Sequence, residues 1–161
     1  MTNDIQVVLK QLVGQRCEGV DNPYGSILRL DLGPLGRRSD DSLTAPLHGW
    51  RHLTVLCPWR LESPDEVLAD WNLKGGFDGQ ILSRTQVLRG LTVAEVAASP
   101  PAWDLTLDWS NGLRLCIFSD SDEDRSDAWV ILGTDGLELG VRPTSGGVAG
   151  YELKMPQPDR D

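Results

Sequence analysis

Leu12-Val13-Gly14, Val20 and Leu28-Arg29-Leu30-Asp31 recur in the same chain as Leu88-Arg89-Gly90, Val96 and Leu105-Thr106-Leu107-Asp108. The offset is 76 residues from Leu12 to Leu88 and 77 from Leu28 to Leu105, so one residue has slipped between the copies. A second match, at a constant offset of 70, sets Trp59-Arg60-Leu61, Asp65, Val67 and Ala69 beside Trp129-Val130-Ile131, Asp135, Leu137 and Leu139. The fall in offset places a longer internal loop in the first copy. Two versions of one unit therefore fill the chain, and the unit must be able to pack against itself.

That unit is rich in strands. Leu28, Leu30 and Leu32 alternate with Arg29 and Asp31, the period of two that half-buries a strand. Arg16 to Val20, Leu53 to Cys57 and Trp59 to Leu61 add further strands. Pro58 lacks the N–H a ladder needs and marks an edge, a bulge or a bend. In the second copy Thr92 to Val96, Asp104 to Trp109, Leu113 to Phe118, Ala128 to Leu132 and Leu137 to Val141 read as strands, and Val148 to Leu153 as a closing one. Ser110-Asn111-Gly112 and Asp135-Gly136 have hairpin-turn chemistry. A short helix opens each copy. Ile5, Val8, Leu9 and Leu12 fall at helical spacing behind an Asn3 or Asp4 cap and stop at Gly14; Asp78 to Leu88, capped by Asp78, is the same element in weaker form before Gly90.

The expected fold is mainly β (α+β): two similar halves, about 4–72 and 78–153, each a short helix plus an antiparallel meander. Their half-sheets bury their apolar faces on each other as a pseudo-two-fold sandwich or a flattened barrel. Residues 1–153 read as a single domain, with Gly75-Gly76-Phe77-Asp78-Gly79 linking the halves and 154–161 a flexible tail. The six tryptophans fit this scheme. Trp59 and Trp129 hold equivalent positions and are expected in the core, as are Trp103 and Trp109, whereas Trp50 lies in the first-copy loop and is expected exposed.

A formal net charge of −9 disfavours sequence-independent nucleic-acid binding, which needs a cationic face, and suits a basic protein partner. No apolar run reaches membrane-spanning length, and Met1-Thr2-Asn3-Asp4 is not the start of a secretory signal, so a cytoplasmic protein is expected, monomer or homodimer. Arginine outnumbers lysine twelve to three, a bias expected of a GC-rich bacterial genome. Cys17, Cys57 and Cys116 are scattered through strand-like stretches and read as small buried hydrophobes.

Few residue patterns carry chemistry. His48-Gly49-Trp50-Arg51-His52 holds both histidines at i, i+4, a spacing that on a helix would suit a metal; Pro46 and Gly49 argue against a helix, and no HExxH pattern is present. His52 and Cys57 are an odd five apart and would face opposite ways on one strand. Asp120, Asp122 and Asp124 imitate calcium-loop positions one, three and five, but the sixth is Arg125 and the twelfth Ile131, so an EF-hand is excluded. What remains is a solvated acidic hairpin, a looser calcium loop or an acidic finger for a basic partner. Neither GxSxG nor a phosphate-cradling GxxxxGK[ST] occurs. The loop from Gly33 to Arg51, absent from the second copy, is expected to be either functional or disordered.

Trp59-Arg60-Leu61 and Asp104-Leu105-x-Leu107, followed by Asn111-Gly112-Leu113-x-Leu115, resemble small bacterial proteins grouped as a domain of unknown function. The resemblance covers most of the chain, and it implies no catalytic or binding residue. In its acidic, β-rich, Trp-containing character the chain is also similar in style to immunity proteins that neutralise bacterial toxins. The expected function is a non-enzymatic protein-binding module, an immunity-like inhibitor being one concrete form, with Trp50, His48, His52, Asp40, Asp41, Asp122 and Asp124 as binding residues and no catalytic residue, metal or cofactor. The alternative is a small-molecule-binding protein or enzyme with its site between the half-sheets.

Overall fold

The computed structural model describes residues 4–38, 42–73, 79–119, 127–142 and 150–156. Helix α1 is Asp4–Lys10; strands β1 to β5 are Cys17–Asp21, Leu28–Gly36, His48–Val55, Trp59–Glu62 and Val67–Asp70. Helix α2, Gln80–Thr85, runs into a tighter turn at Gln86–Leu88. Strands β6 to β11 are Val93–Ser99, Asp104–Trp109, Arg114–Ile117, Trp129–Gly133, Glu138–Arg142 and Gly150–Lys154. Among the described residues the strands form two antiparallel sheets, one ordered β1-β2-β3-β9-β10-β11 and the other β5-β4-β8-β7-β6. This is the expected mainly β sandwich of two similar halves. Within the described residues, no helix is long and apolar enough to cross a membrane.

One feature departs from expectation. Each half does not make its own sheet. The first gives β1, β2 and β3 to one sheet and β4 and β5 to the other, and the second half does the reverse with β6, β7, β8 and β9, β10. Pro58 sits at the crossing between β3 and β4, where a residue without an N–H breaks no ladder. The sheets are thus stitched by the chain itself. Both seams have the same register: Val55 faces Trp129 where β3 meets β9, and Ile117 faces Trp59 where β8 meets β4.

The correspondence reaches individual atoms. The indole N–H of Trp59 donates to the Ser26 carbonyl over 2.8 Å, and that of Trp129 to the Trp103 carbonyl over 3.0 Å, at positions 77 apart. The ladder is bulged between Cys17 and Gly19 in β1 and between Val93 and Glu95 in β6. Gly14 N–H donates to the Val93 carbonyl and Gly90 N–H to the Cys17 carbonyl, each over 2.8 Å. Arg16 and Thr92, equivalent residues, form a bridge with each other, which places them on the pseudo-two-fold axis. Gly14 and Gly90 have φ of +88° and +89°, a left-handed turn that costs glycine least.

Between the sheets lies a continuous apolar interior. Leu28, Leu30, Leu53 and Val55 of one sheet and Leu105, Leu107, Leu115 and Ile117 of the other are buried, as are Trp59 and Trp129, and Trp103 and Trp109 join them. Helix α1 buries Ile5, Val8 and Leu9, and Gln6 reaches the Ala98 carbonyl of β6; on the other side Gln86 reaches the Val20 carbonyl of β1. Each helical element therefore holds the other half's first strand. The cap expected from Asp78 lies outside the described residues, and Gly79 stands at the N-cap of α2 with no side-chain bond.

The expected long first-copy loop, Gly33 to Arg51, is strand at both of its ends. β2 runs on to Gly36 and β3 begins at His48, leaving 37–47 as the connection. The register between them slips between Leu32 and Leu35, and such a bulge bends a strand. β5 was not anticipated as a separate strand, because Val67 to Asp70 is too short to show a period.

Candidate functional site

The outer face of the six-stranded sheet carries Asp31 of β2 opposite His52 of β3. These residues alternate with Leu30, Leu32 and Leu53, which point inward, so the core pattern itself aims them outward. Asp31 Oδ1 lies 2.8 Å from His52 Nδ1. A carboxylate can only accept, so Nδ1 carries the proton of this bond. The same Oδ1 accepts the Gly49 backbone N–H over 2.8 Å and lies 3.8 Å from His48 Nδ1. Burial alone would raise the Asp31 pKa, but the His52 and Gly49 hydrogen bonds and the histidine charges hold it below the ordinary carboxylate range.

Gly49 is required for this geometry. A Cβ there would stand 2.5 Å from Leu32 N and 2.8 Å from Asp31 C, both backbone atoms that cannot give way. The backbones of β2 and β3 close together at the bulge and bring His48 back over the sheet. The imidazole rings of His48 and His52 come to 4.6 Å between centroids, tilted by 55°. The sequence reading tied the i, i+4 spacing to a helix. On a strand an even separation also shares a face, and the bulge supplies the closeness that a straight strand would deny.

A cleft of about 380 Å³ opens here, at the low end of the range of small-molecule sites. His48, His52 and Thr54 of β3 line it with Arg29 of β2, and Gly36, Arg38, Gly133 and Thr134 complete the wall. Among the described residues, no carboxylate lines it. Arg29 Nε is buried and has no hydrogen-bond partner among the described residues, while Arg38 is held by Glu138 at 3.2 Å. Sequence reasoning missed Asp31, Arg29 and Arg38. For Asp31 a signal existed: it belongs to the strand that alternates most cleanly, and its register partner is a histidine.

The other expected binding residues do not gather here. Trp50 is half-buried, not exposed, with the Arg51 guanidinium stacked 3.7 Å from its ring centre. Asp40, Asp41, Asp122 and Asp124 lie outside the described residues. The histidine cleft lies on the outside of the six-stranded sheet, not between the two sheets. Nor are the thiols of Cys17 and Cys116 primed as nucleophiles, because burial pushes Cys17 up to about 12 and, with the charge of Glu62, raises Cys116 as well. A scan of protein-family models and searches of curated proteins and solved structures each returned no match to this chain.

Proposed function

We propose that this protein binds a small anionic molecule, a carboxylate or phosphate compound, in the His48–His52 cleft. One observation carries the reading. In a chain of net charge −9, the cleft wall holds two arginines, two histidines and two threonines and, among the described residues, no acid. Such a wall supplies donors and positive charge to an anion in a chain whose net charge is negative. The partnerless Arg29 Nε adds the cost of a buried donor left unsatisfied, which an acceptor would relieve. An NMR titration with inorganic phosphate and with succinate tests it. Saturable shifts confined to His48, His52, Gly49 and Thr134, lost in Arg29→Gln, are expected; unsaturable or scattered shifts would reject it.

A second reading, docking of a basic protein by an immunity-like inhibitor, has support from the arm that only the first half possesses. Leu43 is 90% exposed, and Leu35 and Leu47 are about half exposed. Leu43→Asp should then release a partner co-purified from cells and leave the anion titration unchanged. Retention of that partner by the variant would count against the arm.

A further inference from the structure

We propose that Asp31, His48 and His52 bind one divalent transition-metal ion of the zinc class at the floor of the cleft. One ligand atom from each of the three lies within 4.8 Å of the others. The distances from Asp31 Oδ1 to the two Nδ1 atoms, 2.8 Å and 3.8 Å, bracket the roughly 3.3 Å between two donors at a tetrahedral zinc ion. An ion placed there replaces the proton between His52 and Asp31, and that proton passes to solvent. Two imidazoles and a carboxylate suit zinc, cobalt or nickel better than calcium or magnesium, which prefer oxygen ligands throughout.

Two features of the fold favour an ion over a structural hydrogen bond. His52 is anchored, with 11% of its side chain exposed, whereas His48 is 44% exposed and supported by the bent arm. A core requirement does not explain a second imidazole on the same oxygen. Three protein ligands also leave a coordination position open toward the cleft, as in zinc sites that act on a ligand. Arg29 and Arg38 in the cleft wall would meet an anion bound at that position, and the anion in turn offsets their repulsion of a cation. In this last respect the inference rests on the cleft being an anion site, so the test must separate the two.

The tag-free full chain, stripped by chelator, would be titrated calorimetrically with Zn²⁺ and spectroscopically with Co²⁺. One ion per chain and a visible cobalt absorption are expected, with affinity falling roughly tenfold or more in His48→Ala. Because His48 is so exposed, that variant keeps the fold, which circular dichroism would verify. Wild type should also gain thermal stability with Zn²⁺, and His48→Ala should not. Failure of the wild type to take up either ion stoichiometrically, or uptake unchanged in His48→Ala, would overturn the metal site. If the stripped chain still binds phosphate saturably in that case, the anion reading stands alone. Zinc uptake without phosphate binding to either form would leave the metal site and remove the anion reading.

Discussion

Asp31 faces His52 across β2 and β3; Asp108 faces Arg114 across β7 and β8 at the matching register. Each pair overlooks a cleft on the outside of its sheet, about 380 Å³ beside His52 and about 400 Å³ beside Arg114. The second cleft is lined by Glu62, Ser63 and Pro64, the counterparts of Leu132, Gly133 and Thr134 in the first. Size and place agree, and chemistry differs. Arg114 grips Asp108 through two bonds of 2.6 and 3.3 Å, a closed ion pair in a cleft that also holds Glu62. In the first half imidazoles replace the guanidinium, a leucine replaces the glutamate, and an arm adds His48. Shared backbone therefore does not imply a shared site: the interior keeps the duplication, and the outer face has been free to diverge.

The interior side of that contrast can be broken with the tryptophans. Trp59 and Trp129 are both buried and donate equivalent indole bonds. Alanine at either should cost about 3–5 kcal/mol, the range for truncating a buried large aromatic. Urea unfolding of the two single variants checks it. Agreement to within about 1 kcal/mol is expected if each seam carries equal load, and a clear inequality would show that the halves are not energetically equivalent.

A smaller asymmetry lies at Arg51 in the middle of β3. Arg51 is 1% exposed and bonds Asp135 through both oxygens at 2.8 and 3.1 Å, with Gln11 at 2.9 Å. At the corresponding place the second half has Leu113. Asp135→Ala strands a buried cation and should cost about 2–3 kcal/mol, below the full figure for a buried pair because Asp135 is itself a third exposed. Adding Arg51→Leu imports the second half's apolar solution and should recover most of the loss. Burial raises the Asp135 pKa, but the Arg51 bond and the Leu137 N–H outweigh it, so the folded value is lowered. A lowered carboxylate contributes stability above its unfolded pKa, near 4, and loses it as pH falls through the folded value. The deficit of Asp135→Ala should therefore shrink in urea titrations run progressively below about pH 4.

How much of this was legible depends on the kind of signal. The repeat, the strand periods and the turns at Asn111-Gly112 and Asp135-Gly136 are local, and they sufficed for a two-fold β-sandwich. The exchange of strands between sheets was hidden, because nothing in β4 or β9 records which neighbour it will pair with. The spacing of His48 and His52 is visible in the sequence. Their partner is not, since Asp31 stands 21 residues from His52 and joins it only through the pairing of β2 with β3. The bulge between Leu32 and Leu35 turned part of what read as loop into strand, because Gly33, Pro34 and Gly36 carry loop chemistry within a paired element. Arg29 gives no signal, since a lone arginine on a strand is ordinary until a cleft forms around it, and Arg38 stands out only as part of the first-copy loop.

The smallest expected change in stability should have the largest effect on binding. His52→Arg writes the second half's ion pair into the first, setting a guanidinium against Asp31 as Arg114 is set against Asp108. The carboxylate keeps a partner, and the residue stays on the outer face, so unfolding free energy should move by no more than about 1 kcal/mol. Zinc uptake should nevertheless be lost, because a guanidinium has no lone pair to offer a metal. The reciprocal Arg114→His should not create a second zinc site, since the short turn at Ser110-Asn111-Gly112 provides no counterpart of His48. Zinc titration and urea unfolding of both variants would distinguish the contributions. Uptake surviving in His52→Arg would move the metal away from β3, and uptake gained in Arg114→His would show that a single His–Asp pair suffices, making the arm irrelevant to it.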